Sequence, residues 1–167
     1  RTLLYDIHRL DWDDALLDLF NIPKTMLPTV LENCADFGVT DEAVFGARIP
    51  IAGVAGDQHA ASVAQAIFEP GMAKSTYGTG CFVMVNTGET AVKSKHRLLS
   101  TILYRIHGKT HYALEGSIFN AGAAVKWLCD SLNMIAAPAE TESLAKSLKS
   151  NEGVYLVPAF TGLGAPY

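Results

Sequence analysis

The chain has 167 residues, of which 49% are hydrophobic and 18% charged, with 13 Lys+Arg against 17 Asp+Glu and a net charge of −4. That apolar content excludes disorder for the bulk of the chain, and the acidic balance argues against a nucleic-acid coat or an anionic membrane surface as partner. The length suits one domain or two small pieces, and a domain of about 150 residues hides about 68–70% of its unfolded surface, enough for a core. Cys34, Cys81 and Cys129 are widely spaced and form no CxxC pair. This fits reduced thiols in a cytoplasmic protein and argues against a disulfide framework or a zinc site. There is no run near the roughly 20 apolar residues that span a bilayer, and no basic-then-apolar leader, so no membrane insertion is expected. The chain starts at Arg1 and stops at Pro166-Tyr167 after a glycine-rich stretch. The expectation is a piece of a longer protein.

Charge divides unevenly. Residues 1–69 carry 4 basic and 11 acidic side chains, and residues 70–167 carry 9 and 6. The sign changes at Glu69-Pro70-Gly71, a turn signal, which predicts two domains meeting there, 1–69 and 70–167. In the first, Asp11 reads as an N-cap with Asp13 and Asp14 at the favourable end of the helix dipole. Trp12, Leu16, Leu19 and Phe20 follow at helical spacing, and Pro23 stops the helix. Pro23 and Pro28 bracket a turn region, and residues 38–48 read as a polar surface loop. The apolar run Ile49–Val54 predicts a short buried strand with Pro50 near its start. After Ala55-Gly56-Asp57-Gln58-His59, residues Ala60–Phe68 read as an apolar helix. In the second part, Met72–Tyr77 and Cys81–Asn86 flank Gly78-Thr79-Gly80 as a hairpin. Leu99–Ile106 and His111–Leu114 flank His107-Gly108-Lys109-Thr110 as another. Ala121–Met134 predicts a helix with Val125, Leu128, Cys129 and Leu132 along one face. Thr141 reads as the cap of a further helix carrying Leu144 and Leu148, and Gly153–Phe160 as a final strand. There is no internal repeat.

Three places could carry chemistry. Asp57 and Gln58 follow a strand-like run and open a helix, the place where α/β proteins hold ligands. A carboxylate there can take a proton from a hydroxyl, and an amide beside it can bind a polyol; alternatively Asp57 is a helix cap. Gly78-Thr79-Gly80 lets a backbone approach a phosphate with a threonine hydroxyl at hand, or is an ordinary hairpin turn. Gly122, in the first turn of a helix, admits a nucleotide at the helix N-terminus, or allows close packing. Neither GxxxxGK[ST] nor GxGxxG occurs. The histidines His8, His59, His96, His107 and His111 show no metal spacing and read as solvated or structural, and no metal-ligand set is expected.

Taken together, GVAGDQHAA (53–61), GMAKSTYGTGCFVMVNTG (71–88), YALEGSIFNAGAAVKWL (112–128) and VYLVPAFTGLGAPY (154–167) resemble the FGGY family of carbohydrate kinases, as does RTLLYDIHRLDWDD (1–14). The resemblance covers essentially the whole chain and follows the glycerol-phosphorylating branch, because xylulose kinases typically carry a different triplet where this chain has Gly56-Asp57-Gln58. It implies an α/β, actin-like, ribonuclease-H-like ATPase fold, with this chain spanning the junction of two domains. The implied activity is transfer of phosphate from ATP to glycerol, giving sn-glycerol 3-phosphate, with Mg²⁺ as cofactor and a homo-oligomer, dimer or tetramer, when full length. A kinase of another polyol or sugar and a non-catalytic actin-like module are the alternatives. By resemblance, Asp57 is the catalytic base and contacts glycerol with Gln58, and Thr79, Gly122 and Lys126 contact the nucleotide. Lys126 stands where the family has glutamine, so it is either a charged contact at the rim of the site or a solvated lysine. Gly46 and Arg48 match a pair that binds fructose 1,6-bisphosphate as an inhibitor in some members; a solvated surface arginine is the alternative. The family's N-terminal phosphate loop, an Arg-Glu pair for glycerol and a later glycine-rich adenosine segment are absent from these residues.

Overall fold

The structure, a computed structural model, describes residues 2–165. In chain order the first elements are β1 (Tyr5–Asp6), β2 (Asp11–Trp12) and α1 (Asp14–Leu19), followed by a 3-10 turn at Lys24–Met26. Next come α2 (Glu42–Phe45), α3 (Asp57–Ala64), β3 (Ala73–Tyr77), β4 (Cys81–Gly88), β5 (Leu99–Ile106), β6 (Lys109–Ile118), α4 (Gly122–Asp130) and α5 (Glu140–Ser147). β1 and β2 pair antiparallel, with Tyr5 and Trp12 opposed and their rings edge-on at 5.4 Å. The other four strands form one sheet in the order β3-β4-β6-β5. The chain divides into two compact units. The first runs up to Ala73 and includes Val85–Lys93 and Ser100–Leu114; the second comprises Lys74–Met84, Ser94–Leu99 and the chain from Glu115 onward.

Turn chemistry explains the sheet. Gly78-Thr79-Gly80 joins β3 to β4, and three linking residues allow only antiparallel pairing. His107 and Gly108 both adopt positive φ, +52° and +76°, and close β5–β6 as a two-residue turn of the twist-matched kind. β6 therefore starts at Lys109 and runs to Ile118, longer than the predicted His111–Leu114. Upstream, Gly71 has φ +90° and the Met72 N–H donates to the Glu69 carbonyl over 3.1 Å. Proline then glycine at the two central positions is the signature of a type II turn.

Five sequence expectations need correction. The cap of α1 is Asp13, whose carboxylate accepts from Leu16 N–H at 3.0 Å, because Asp11 is already committed to β2. α1 ends at Leu19, before Pro23 can act, and Asn21 takes the left-handed region. Residues 49–54 form no continuous strand but pair antiparallel with residues 33–40, through isolated bridges of Val39 with Pro50 and Cys34 with Gly53 and through backbone bonds such as Ile51 N–H to the Gly38 carbonyl at 2.8 Å and Phe37 N–H to the Ile51 carbonyl at 3.0 Å. Residues 38–48, expected as loop throughout, contain α2, capped by Asp41 through Ala43 N–H and ended by left-handed Gly46. The helix expected at Ala60–Phe68 starts at Asp57, so it includes the candidate base, and stops at Ala64 with Ala66 at φ +55°.

The C-terminal part also differs. α4 is shorter than expected, ending at Asp130. Thr141 lies inside α5, and the helix start is held by Glu140, which accepts from Ala136 N–H and Ala137 N–H. Leu144 and Leu148 are exposed. Residues 153–160 form no strand, and Val154 and Tyr155 are 75% and 82% exposed. An apolar run becomes a strand only when another backbone completes its hydrogen bonds, and none does so among the described residues. The last residues of the VYLVPAFTGLGAPY string, 166–167, lie outside the described residues.

In the first unit Leu4, Leu17, Ile67, Leu103, Tyr112 and Ala113 are buried, as is Asn86. Asn86 donates through Nδ2 to the Ile67 carbonyl just after α3 and accepts Gly88 N–H on Oδ1 at 2.7 Å. Its position on β4 thus anchors the C-terminal end of the segment that carries Asp57. In the second unit Cys81 and Met84 are buried, with Lys74 and Glu115.

Candidate functional site

In the first unit, α3 opens with the sequence Gly56-Asp57-Gln58. Gly56 occupies the N-cap position and offers no side chain, so Asp57 enters the first turn, where a carboxylate complements the helix dipole. One carboxylate oxygen, Oδ1, accepts Gln58 N–H at 2.8 Å. The other accepts no hydrogen bond among the described residues, and Asp57 is exposed. The carboxylate therefore serves the helix start with one oxygen and keeps the other open to an incoming hydroxyl. Gln58, next to it, is buried, and its backbone carbonyl accepts the Ser62 hydroxyl at 3.0 Å.

The approach to Asp57 is built by a residue that sequence reading passed over. Asn33 accepts Arg105 N–H of β5 on Oδ1 at 2.8 Å and donates through Nδ2 to the Val54 carbonyl at 2.9 Å. Its backbone repeats both links, N–H to Arg105 carbonyl at 2.9 Å and carbonyl to Val54 N–H at 3.0 Å. Glu32, beside it, accepts Gly108 N–H at the β5–β6 turn and pairs with Arg105 at 3.4 Å. Only the Asn-before-turn composition of Leu31-Glu32-Asn33-Cys34 could have flagged this; its partners lie 21 and 72 residues away.

In the second unit the structure joins two of the three sequence constellations. Three N–H groups at the start of α4 donate to the Gly78–Thr79 turn: Gly122 to the Gly78 carbonyl at 2.9 Å, and Ala121 and Ala123 to the Thr79 carbonyl at 2.9 and 3.1 Å. The hairpin tip thus caps the helix and satisfies donors that would otherwise be orphaned. Glycine is required at residues 122 and 80, each against a different stretch of backbone. A Cβ on residue 122 would meet Gly78 O at 2.6 Å, and one on residue 80 would meet Ile118 O at 2.6 Å and Phe119 O at 3.0 Å. Gly80 opens β4 beside the end of β6, which makes those two strands antiparallel. The Thr79 side chain remains exposed on the tip. Asn120, just before the helix, donates to the Pro158 carbonyl and to Thr161.

Gly122 also lines a groove of about 590 Å³ with Val125, Lys126, Cys129, Asp130 and Thr141. Lys126 lies one turn beyond Gly122 on this groove. Its ammonium pairs with Asp130, and that hydrogen bond raises its pKa. Both side chains are exposed, 77% and 56%. Arg48 and Gly46 belong to the first unit: Gly46 ends α2 at φ +72°, and exposed Arg48 follows in a loop that Thr40 closes by bonding Ala47 and Ile49. Among the described residues no group of three or more His, Cys, Asp or Glu side chains could hold a metal ion. No helix among them is long and apolar enough to cross a membrane.

The mixed α/β chain, with its four-stranded sheet, superposes on solved kinases of the actin-like class of ATPase folds. The chain belongs to the FGGY family of carbohydrate kinases: the family's C-terminal domain matches residues 73–167 and its N-terminal domain residues 1–64. It is 62% identical over all 167 residues to the glycerol kinases of Alteromonas mediterranea and Rhizobium meliloti, spanning 34% of each. Among solved structures, Plasmodium falciparum glycerol kinase with ADP superposes at a TM-score of 0.92, with 44% identity over 99% of this chain and 34% of that one. The xylulose kinase of Rhodospirillum rubrum superposes at 0.80 with 25% identity, over 98% of this chain and 34% of that one. The chain thus spans about a third of the length of the curated relatives it matches.

Proposed function

We propose that this chain is the domain-junction segment of an ATP-dependent glycerol kinase, with residues 1–69 closing the first domain and 70–167 opening the second. The observation that carries the reading is identity of 60–63% along the entire chain with proteins named glycerol kinase. Asp57 is the base: its open oxygen takes the proton of the attacking glycerol hydroxyl as the hydroxyl oxygen bonds to the γ-phosphorus and the γ-phosphorus bond to ADP breaks. Gln58 holds a second glycerol hydroxyl, its amide able to donate and accept. Thr79 offers its hydroxyl to the ATP phosphates from a tip whose place is set by α4, and Gly122 and Lys126 border the nucleotide.

Phosphoryl transfer asks the protein chiefly to align oxygen with phosphorus and to stabilise charge, which fits a rigid hairpin tip better than a mobile loop. Mg²⁺ neutralises phosphate charge in such reactions and keeps most of its ligands as water and phosphate oxygen. The described residues offer it no ligand set of their own. The enzyme works in the cytoplasm as a homo-oligomer, and Gly46 with Arg48 forms part of an anion site for fructose 1,6-bisphosphate, since the arginine fork suits phosphate.

The test is steady-state kinetics of the full-length protein with glycerol and with xylulose as acceptors. Glycerol 3-phosphate should form at the higher kcat/KM. Asp57→Asn should lower kcat by about 10²–10⁴, the usual worth of a general base, and leave folding intact because the amide oxygen still accepts Gln58 N–H. Preference for xylulose, or nucleotide binding without any transfer, overturns the reading.

A further inference from the structure

We infer that Asn33 is a positioning residue for the reaction, holding the loop that aims Asp57. The inference rests on the role proposed for Asp57. Val54 stands three residues before Asp57, and the intervening Ala55 and Gly56 are exposed and form no regular structure. Gly56 belongs with α3, its carbonyl accepting His59 N–H and Ala60 N–H and the His59 ring lying against it, so the path of the chain entering the helix is set upstream, where Val54 is fixed. Val54 is fixed by Asn33 twice, through its carbonyl to Nδ2 at 2.9 Å and through its N–H to the Asn33 carbonyl at 3.0 Å. Asn33 in turn is locked to β5 by the reciprocal pair with Arg105.

One asparagine thus bridges β5, at the edge of the sheet, and the end of the Ile49–Val54 run, whose earlier residues are held by backbone bonds to residues 37–40. The far end of the α3 segment is held independently by Asn86 at Ile67. The chain entering α3 is therefore held at Val54 by the Asn33 side chain, beside the backbone bond between the same two residues. A misplacement near 1 Å in an attacking geometry can cost about 10²-fold in rate. A carboxylate swung by a loosened three-residue tether falls within that range.

Asn33→Asp separates the two links: it keeps the acceptor for Arg105 N–H and loses the donor to Val54. In the full-length enzyme Asn33→Ala and Asn33→Asp should both lower kcat with glycerol by about 10-fold or more, with KM for ATP unchanged within twofold. The decisive readout is a double-mutant cycle with Asp57→Asn. If Asn33 acts through Asp57, Asn33→Asp costs nothing further once the base is gone. An equal loss in both backgrounds, an unchanged kcat, or a matching rise in ATP KM overturns the inference. Should Asn33→Ala not fold, the near-isosteric Asn33→Asp carries the test. Activity retained by Asp57→Asn removes the parent reading and the inference together, whereas a slow Asp57→Asn beside a normal Asn33→Asp removes the inference only.

Discussion

Gly122→Ala is the sharpest perturbation of the hairpin–helix contact. The new Cβ would lie 2.6 Å from Gly78 O, where ordinary contact begins at 3.4 Å, so the turn must retreat by about 0.8 Å. That stretches the 2.9 Å bond from Gly122 N–H beyond hydrogen-bond length and weakens those of Ala121 and Ala123. Each bond is worth about 0.5–1.5 kcal/mol net. The substitution recovers about 0.4–1 kcal/mol by restricting the unfolded chain. The net loss expected is about 1–3 kcal/mol, read as a lower urea midpoint with unchanged slope. Because Thr79 rides on the displaced turn, KM for ATP should rise several-fold while KM for glycerol stays put. Gly78→Ala is the internal control: its Cβ would meet only Gly80 O at 3.9 Å, an ordinary contact. Equal stability and equal ATP KM for the two variants would refute the argument that the turn is clamped by backbone contact at residue 122.

Lys126 must leave Asp130 to reach a nucleotide, so Lys126→Gln should raise the ATP KM by a factor of a few at low ionic strength, an effect that fades with salt; an unchanged value at low salt assigns the lysine to its ion pair alone. Asn86→Ala leaves the Gly88 N–H and the Ile67 carbonyl without their partner in the core and should cost about 2–4 kcal/mol in denaturant unfolding. Asp6 accepts Arg9 N–H and His8 N–H and pairs with the Arg9 guanidinium, which holds its carboxyl at about 2 against an ordinary 3.8. The folded state then prefers the ionised form: its contribution is complete above the unfolded value and disappears as pH falls from near 4 to about 2. Asp6→Asn should therefore narrow the stability difference between pH 7 and pH 2, measured by thermal unfolding, and an unaltered difference would count against it.

Local information in the chain determined a good part of this. Glycines at 78 and 80, and His107-Gly108, announce two hairpins because tight turns need residues that tolerate their backbone angles, and both hairpins form. Val125, Leu128 and Cys129 announce α4 by their spacing. Asp57 and Gln58 stand out because a carboxylate and an amide at a helix start are chemically suggestive, and the ordered strings around them point to the FGGY family. Other features depended on which backbone lies across from which. The runs Ile49–Val54 and Gly153–Phe160 both have strand composition, yet among the described residues only the first finds a backbone neighbour, in residues 33–40, and composition does not say which run will. Asp11 and Asp13 are equally good caps by residue type; the pairing of Asp11 with Asp6 across β1–β2 leaves the role to Asp13. Gly122 could have served a ligand or close packing, and only the 2.6 Å approach of Gly78 O shows what its missing side chain makes room for. Asn33 and Asn86 look like ordinary polar residues in sequence. Gly88 apart, their partners come from 19 to 72 residues away, and a hydrogen bond across such a separation is set by the packed fold, because no local pattern encodes where two distant backbones will meet.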